Sequence, residues 1–237
     1  MKQYYEIAGL TVEMDSFGRT VEQAKAYQRE DAPEKVDIVI SSDWPQMRKR
    51  HSYLSEDDGE YMGTSSSFYK QLLRFDGLML HASAVLVDGK AYLFSAPSGT
   101  GKSTHTSLWL DMLGERASIL NDDKPALRLV DGIWYAYGTP WSGKFDISQN
   151  IGAPLGGIAV LERAQENSIV PFAGSEAIYA ILNQAVRPRG MESVAKLLEL
   201  LDALVTNVPI WKLSCNPEPQ AAQIAYKAMT GVQEERK

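Results

Sequence analysis

Between an apolar run, Ala91-Tyr92-Leu93-Phe94, and a helix-forming stretch that begins at Lys102, the chain carries Ala96-Pro97-Ser98-Gly99-Thr100-Gly101-Lys102-Ser103-Thr104. A strand, a tight loop and a helix in that order aim successive backbone N–H groups, and the positive end of the helix dipole, at one anionic group. Gly99 and Gly101 supply backbone freedom, and Lys102 places a compact cation on the outer phosphates of a nucleoside triphosphate such as ATP. The Ser103 hydroxyl is placed to help hold Mg²⁺ between two phosphates, and Ser98, Thr100 and Thr104 complete the phosphate-binding set. The motif pattern opens on Gly where this chain has Ala96, a methyl group that a loop position with negative φ accommodates. The motif points to a nucleotide and is silent on the reaction.

Composition narrows the partners. With 237 residues and 44% hydrophobic content, the chain can bury a real core. A formal net charge of -6 with no long basic run argues against nucleic acid. Cys215 is the single cysteine, which excludes an internal disulfide or a cysteine-built metal site. The N-terminus lacks the basic start and apolar run of a signal peptide, and no stretch reaches membrane-span length; the expectation is a cytoplasmic protein without membrane contact.

The chain divides into residues 1–62, a β-rich region with strand-like runs at 4–12 and 36–40, and residues 63–237, which carry the nucleotide-binding core. The acidic run at 56–60 lacks the ligand spacing of a calcium loop and reads as a solvated turn. Thr64-Ser65-Ser66-Ser67 reads as the cap of a helix through Phe68, Leu72 and Leu73 that stops at Asp76-Gly77. A hairpin of residues 78–87 and 90–95, turning at Asp88-Gly89, delivers its second strand into the glycine-rich loop. The helix after Lys102 ends near Gly114, with Trp109 in the core, and a short strand at 117–120 leads to Asn121-Asp122-Asp123. Later helices at 178–185 and 192–204, a strand at 208–213 and a helix at 219–229 finish the core; the tail from Gln233 reads as frayed.

Phosphoryl transfer requires a metal held on the phosphates and a group that orients or deprotonates the attacking hydroxyl. Adjacent aspartates point in different directions and can divide those tasks, although Asp122-Asp123 before Lys124-Pro125 also suits an Asx turn. His81 lies in an apolar strand, where it orients Asp122, or contacts the transferred phosphoryl group, or is a buried structural histidine. His105 reads as packing or capping. The loop Tyr137-Gly138-Thr139-Pro140-Trp141-Ser142-Gly143-Lys144 suits a substrate loop, with Lys144 meeting phosphate charge and Trp141 bounding the pocket, and equally a plain hairpin connection. Arg187, in Arg187-Pro188-Arg189-Gly190 between two helices, either stabilises transition-state charge or sits in a surface turn.

Leu80-His81-Ala82-Ser83-Ala84, the hairpin, the glycine-rich loop and Asp122-Asp123, in that order, resemble the catalytic domain of bacterial HPr kinase/phosphorylase over roughly residues 75 to 230. The resemblance implies a phosphoenolpyruvate carboxykinase-like α/β P-loop core with a mixed β-sheet, preceded here by the small β-rich region. It implies an ATP- and Mg²⁺-dependent kinase that transfers the γ-phosphoryl group to a hydroxyl, a serine of a protein or peptide. It assigns Asp122 as acid/base and Asp123 with Ser103 as metal partners, places His81 near the site, covers Arg187 in part, and allows a homo-oligomer. The family's arginine- and glycine-containing signature with its upstream glutamate is missing, so the resemblance does not extend to HPr as acceptor. Two alternatives stay open: a kinase of a small molecule such as a free hydroxy amino acid, and a nucleotide-binding regulator that transfers nothing. Residues 1–60 are expected to recognise the acceptor, so that their deletion would spare nucleotide binding.

Overall fold

The computed structural model describes residues 3–41, 48–49 and 51–232; the tail from Gln233 lies outside them. Strands β1 (Gln3–Ile7), β2 (Leu10–Asp15) and β3 (Ile38–Ser41) form a small sheet in that order, β1 antiparallel and β3 parallel to β2, with the short helix α1 (Gly18–Ala24) between β2 and β3. Alternation of buried Val12 and Met14 with half-exposed Thr11 and Glu13 puts one face of this sheet on a core.

Helix α2 runs from Glu56 to Leu72 and so begins eight residues before the expected cap at Thr64. The acidic run is its first turn: Ser55 caps it, its Oγ accepting from the Asp58 N–H at 3.1 Å, and the carboxylates of Glu56, Asp57 and Asp58 complement the helix dipole. The expected division at 62/63 falls inside this helix. Phe68, Tyr69 and Leu72 of α2 share one apolar cluster with Tyr5, Val12, Met14 and Ile38 of the small sheet and with Trp141.

The remaining strands make a nine-stranded mixed sheet: β4 (Gly77–Met79), β5 (Ala82–Val87), β6 (Lys90–Ser95), β7 (Ala117–Asp123), β8 (Ala126–Val130), β9 (Ile133–Tyr137), β10 (Gly152–Arg163), β11 (Ser168–Pro171) and β12 (Ile210–Cys215). The order is β4-β8-β9-β10-β6-β5-β7, with β12 also paired to β10 and β11 to β12. An α/β architecture with a mixed sheet is thus present. The expected strand at 78–87 is two strands: β4 pairs with β8, the chain breaks at His81, and β5 pairs with β6 and β7.

Helices cover both faces. On one, α3 (Lys102–Leu113) and α6 (Pro219–Thr230) bury Trp109, Ala222 and Ala225 against Val85, Phe94 and Leu213. On the other, α4 (Gly174–Gln184) and α5 (Met191–Asn207) bury Ile181, Leu197, Leu200 and Leu204 against Leu80, Ala84 and Leu93. Each fully buried Leu, Ile, Val or Phe among these contributes roughly 1.5–3 kcal/mol of transfer free energy. Among the described residues no helix is long and apolar enough to cross a membrane.

Candidate functional site

Because β5 lies antiparallel between β6 and β7, those two strands run in the same direction and end at one edge of the sheet, where β5 begins. The loop after β6, the Asp122-Asp123 end of β7 and His81 before β5 therefore meet without any long connection. In register, Ala82 pairs with Ser95 on one side and with Asp123 on the other. The β5–β7 register shifts between Ala84 and Val85, leaving Leu120 as an extra residue on β7. Such a bulge re-aims the side chains beyond it. Beyond it, Asp122 stands opposite Ser83 and accepts a short hydrogen bond from its hydroxyl.

The glycine-rich loop turns from Ser95 into α3 through Gly99 (φ +77°) and Gly101 (φ +122°), backbone conformations that side chains rarely adopt. Ala96 is buried and is not among the positive-φ residues, which is the condition its methyl group needed. Lys102 is buried, and its ammonium donates to the carbonyls of Ala96 at 3.0 Å and Pro97 at 3.4 Å. Burial lowers its pKa, against which Asp123 and Asp122 raise it.

The two aspartates have separate surroundings. The Ser103 hydroxyl lies 3.1 Å from each carboxylate oxygen of Asp122. Asp123 is instead gripped by His81 Nε2 at 3.3 Å, by the Lys124 ammonium at 2.6 Å and by the Tyr61 hydroxyl, which donates at 3.2 Å. Burial alone would raise the Asp123 carboxyl, but the His81 hydrogen bond and the Lys124 charge outweigh it and hold the group well below the usual carboxylate range. Its backbone sits at φ +117°, a strained conformation for a non-glycine residue that costs about 1–3 kcal/mol. His81 is oriented from behind by Gln184 at the end of α4: Nδ1 lies 3.1 Å from Gln184 Oε1, and the His81 N–H donates to the Gln184 carbonyl at 2.8 Å.

These groups line one cleft of about 580 Å³ that holds Ser98, Gly99, Gly101, Lys102, Ser103, Thr104, His81, Asp122, Asp123 and Lys144. Thr100 lies on the other flank of the loop. Arg187 does not line the cleft; it is exposed, and its guanidinium donates to Asn183 at 2.9 Å. Trp141 does not bound the cleft either. It is fully buried against Phe68 and Tyr69, and its indole N–H donates to the Thr64 hydroxyl at 3.1 Å, so the tryptophan anchors the loop and leaves Lys144 at the rim.

Tyr61 and Arg19 are among the cleft residues that escaped the sequence analysis. Tyr61, on α2, links Asp123 to the loop at 143 by accepting from the Gly143 N–H at 2.9 Å; burial and the neighbouring Asp123 raise its pKa and keep it protonated. Arg19, on α1, lies over the Tyr61 ring at 4.2 Å while Lys124 lies over it at 4.3 Å, and it pairs with Asp58 at 3.1 Å. No local pattern marks either residue, since each reaches the site through a contact with a distant segment.

Residues 61–217 match the family model described as SynChlorMet cassette protein ScmC. No curated protein matches the chain. Among solved structures, that of the Hpr(Ser) kinase/phosphatase from Coxiella burnetii is similar at 11% identity and a TM-score of 0.40, covering 65% of this chain and 97% of that one. That likeness is too slight to carry an argument.

Proposed function

The chain belongs to the SynChlorMet cassette protein ScmC family, and from the geometry of its cleft we propose that it is an ATP- and Mg²⁺-dependent kinase that transfers the γ-phosphoryl group to a hydroxyl, a serine of a protein or peptide. The observation that carries this reading is the contact between the Ser103 hydroxyl and both oxygens of Asp122, with Asp123 held beside them by separate partners.

The donor set fits magnesium. A hydroxyl and a carboxylate converge in one place, and no group of three or more His, Cys, Asp or Glu side chains among the described residues makes a protein-only cage. Mg²⁺ is commonly held by one or two protein oxygens, the remaining positions going to phosphate and water. When bound there it supplies neutralisation of phosphate charge. The chain's own groups do the rest. Lys102, which here donates to its own loop, reaches the outer phosphates, and the first turn of α3 presents N–H groups to them.

Support for the division of the aspartates runs opposite to that implied by the HPr kinase resemblance. Asp122, touching Ser103, belongs to the metal side, and Asp123 faces the acceptor. A carboxylate held ionised by His81 and Lys124 is a weak base, but a loose phosphoryl-transfer transition state asks mainly that the attacking hydroxyl be oriented, and Asp123 accepts its hydrogen bond at any working pH. Lys144 and Arg19 then supply positive charge on the acceptor side.

The test is ATP consumption with Mg²⁺ in the presence of candidate proteins, peptides and free hydroxy amino acids, with transfer followed by mass spectrometry for the wild type and Asp123→Asn. Transfer that the variant loses while still binding ATP supports the kinase and identifies the acceptor class. Transfer to a free hydroxy amino acid alone makes it a small-molecule kinase. Nucleotide binding without transfer across the whole screen makes it a nucleotide-binding regulator and rejects the proposal.

A further inference from the structure

A second cavity, of about 360 Å³, opens on the opposite flank of the glycine-rich loop. Gly101 and Thr104 line both spaces, so a ligand whose phosphates rest on the loop has its other end within reach of this one. Leu108 of α3, Leu161 of β10 and Pro217 after β12 give it apolar walls. The formal charge on its lining is that of Arg163, whose guanidinium is already committed: Nε donates to the Thr100 carbonyl at 3.2 Å and Nη2 to that of Gly99. Both bonds run to neutral carbonyls, so the guanidinium keeps its positive charge while its plane is held in place. A flat, uncharged ring finds two leucines and the face of a fixed guanidinium.

His105 is the independent sign of a ligand. It lines the cavity, is 2% exposed, packs on the Phe94 ring at 4.5 Å, and neither of its ring nitrogens has a hydrogen-bond partner. Buried polar atoms are ordinarily paired, and an unpaired one calls for an explanation. Burial keeps this imidazole neutral at ordinary pH, so it carries one donor and one acceptor. Both nitrogens are closed off from solvent, so the polar edge of a nucleobase pairs with them once the imidazole turns towards the cavity.

We propose that this cavity is the nucleobase subsite of the chain and takes the purine base of the nucleotide, stacked between Leu108, Leu161 and the Arg163 guanidinium, with His105 as its polar contact. The inference rests on the nucleotide reading of the glycine-rich loop and deepens it. Arg163 would then join the base to the loop carbonyls that shape the phosphate site.

The experiment is calorimetric titration of the full chain with Mg²⁺–ATP and with Mg²⁺–tripolyphosphate, which has the phosphates and no base. It compares wild type, Leu108→Trp, which fills the cavity from a half-buried position, and His105→Phe, which keeps the ring and removes its polar atoms. The wild type is expected to bind ATP at least about tenfold more tightly than tripolyphosphate, and both variants to lose most of that advantage while binding tripolyphosphate unchanged. Thermal melts report whether each variant folds; should His105→Phe fail, Leu108→Trp carries the comparison. Variants that keep the full preference for ATP overturn the subsite, as does a wild type that binds both ligands alike, and in either case the phosphate site stands. A wild type that binds neither ligand overturns the nucleotide reading and this inference with it.

Discussion

Asp122 and Asp123 are neighbours in the chain, yet one touches the loop serine and the other a histidine, a lysine and a tyrosine. Their substitutions should therefore differ in kind. Asp122→Asn is expected to raise the Mg²⁺ concentration needed for half-maximal activity, whereas Asp123→Asn lowers kcat by about 10²- to 10⁴-fold with little change in ATP affinity. Magnesium titrations of steady-state rates separate the two; equal effects on both parameters would reject the division. At His105, burial pushes the imidazole down to about 4 from an ordinary 6.5. Between those values the unfolded chain binds more protons than the folded one, so stability falls as pH drops from about 6.5 towards about 4 and levels off below, a loss on the order of 3 kcal/mol. Urea unfolding at a series of pH values should show that slope in the wild type and a shallower one in His105→Phe.

Elements bring these residues together through close backbone approaches. Gly138 follows β9 where a Cβ would lie 1.9 Å from the Gln149 carbonyl oxygen and 2.9 Å from that of Leu120, beside the β7 bulge. Gly132, in the β8–β9 turn, has open space around it and φ +80°. Gly138→Ala should cost several-fold more stability than Gly132→Ala, for which a strain of about 1 kcal/mol is expected, and should disturb the strand that presents the aspartates. Denaturation midpoints of the two variants check this; equal shifts would show that the backbone at 149 yields. The start of α2 was hidden because the acidic run at 56–60 read as a solvated turn and Thr64–Ser67 as the cap, whereas the Ser55 cap and packing of the buried face carry the helix through that run.

Across the molecule, the small sheet and the nine-stranded sheet are joined by more than chain continuity. Trp141, Phe68 and Tyr69 lie in the same cluster as Tyr5, Met14 and Ile40. Gln23 donates to the Gly143 carbonyl at 2.9 Å and Arg19 reaches the cleft. Deleting residues 1–60, expected from sequence to spare nucleotide binding, would remove half of that cluster and the first turn of α2. The truncated chain is predicted to expose apolar surface and self-associate, which dye binding and sedimentation would detect; a monomeric truncation with unchanged ATP affinity would contradict it. A better probe of the acceptor side is Arg19→Ala, which should weaken acceptor binding and leave ATP binding unchanged.

The glycine-rich loop and the paired acids were legible because their logic is local. Positive φ at Gly99 and Gly101, a strand before and a helix after are properties of one short contiguous stretch. The side from which each acid is approached was not legible. It depends on β5 lying between β6 and β7, and on one extra residue at Leu120 that shifts which side chains face Ser103. Trp141 and Lys144 belong to one loop, and their own sequence does not say which is core and which is cleft; Thr64, about eighty positions away, settles it by accepting the indole N–H. Tyr61 and Arg19 enter the cleft by the same kind of long-range packing. Local backbone preference thus marked the glycine-rich loop, while burial and pairing between segments far apart in the chain decided its company.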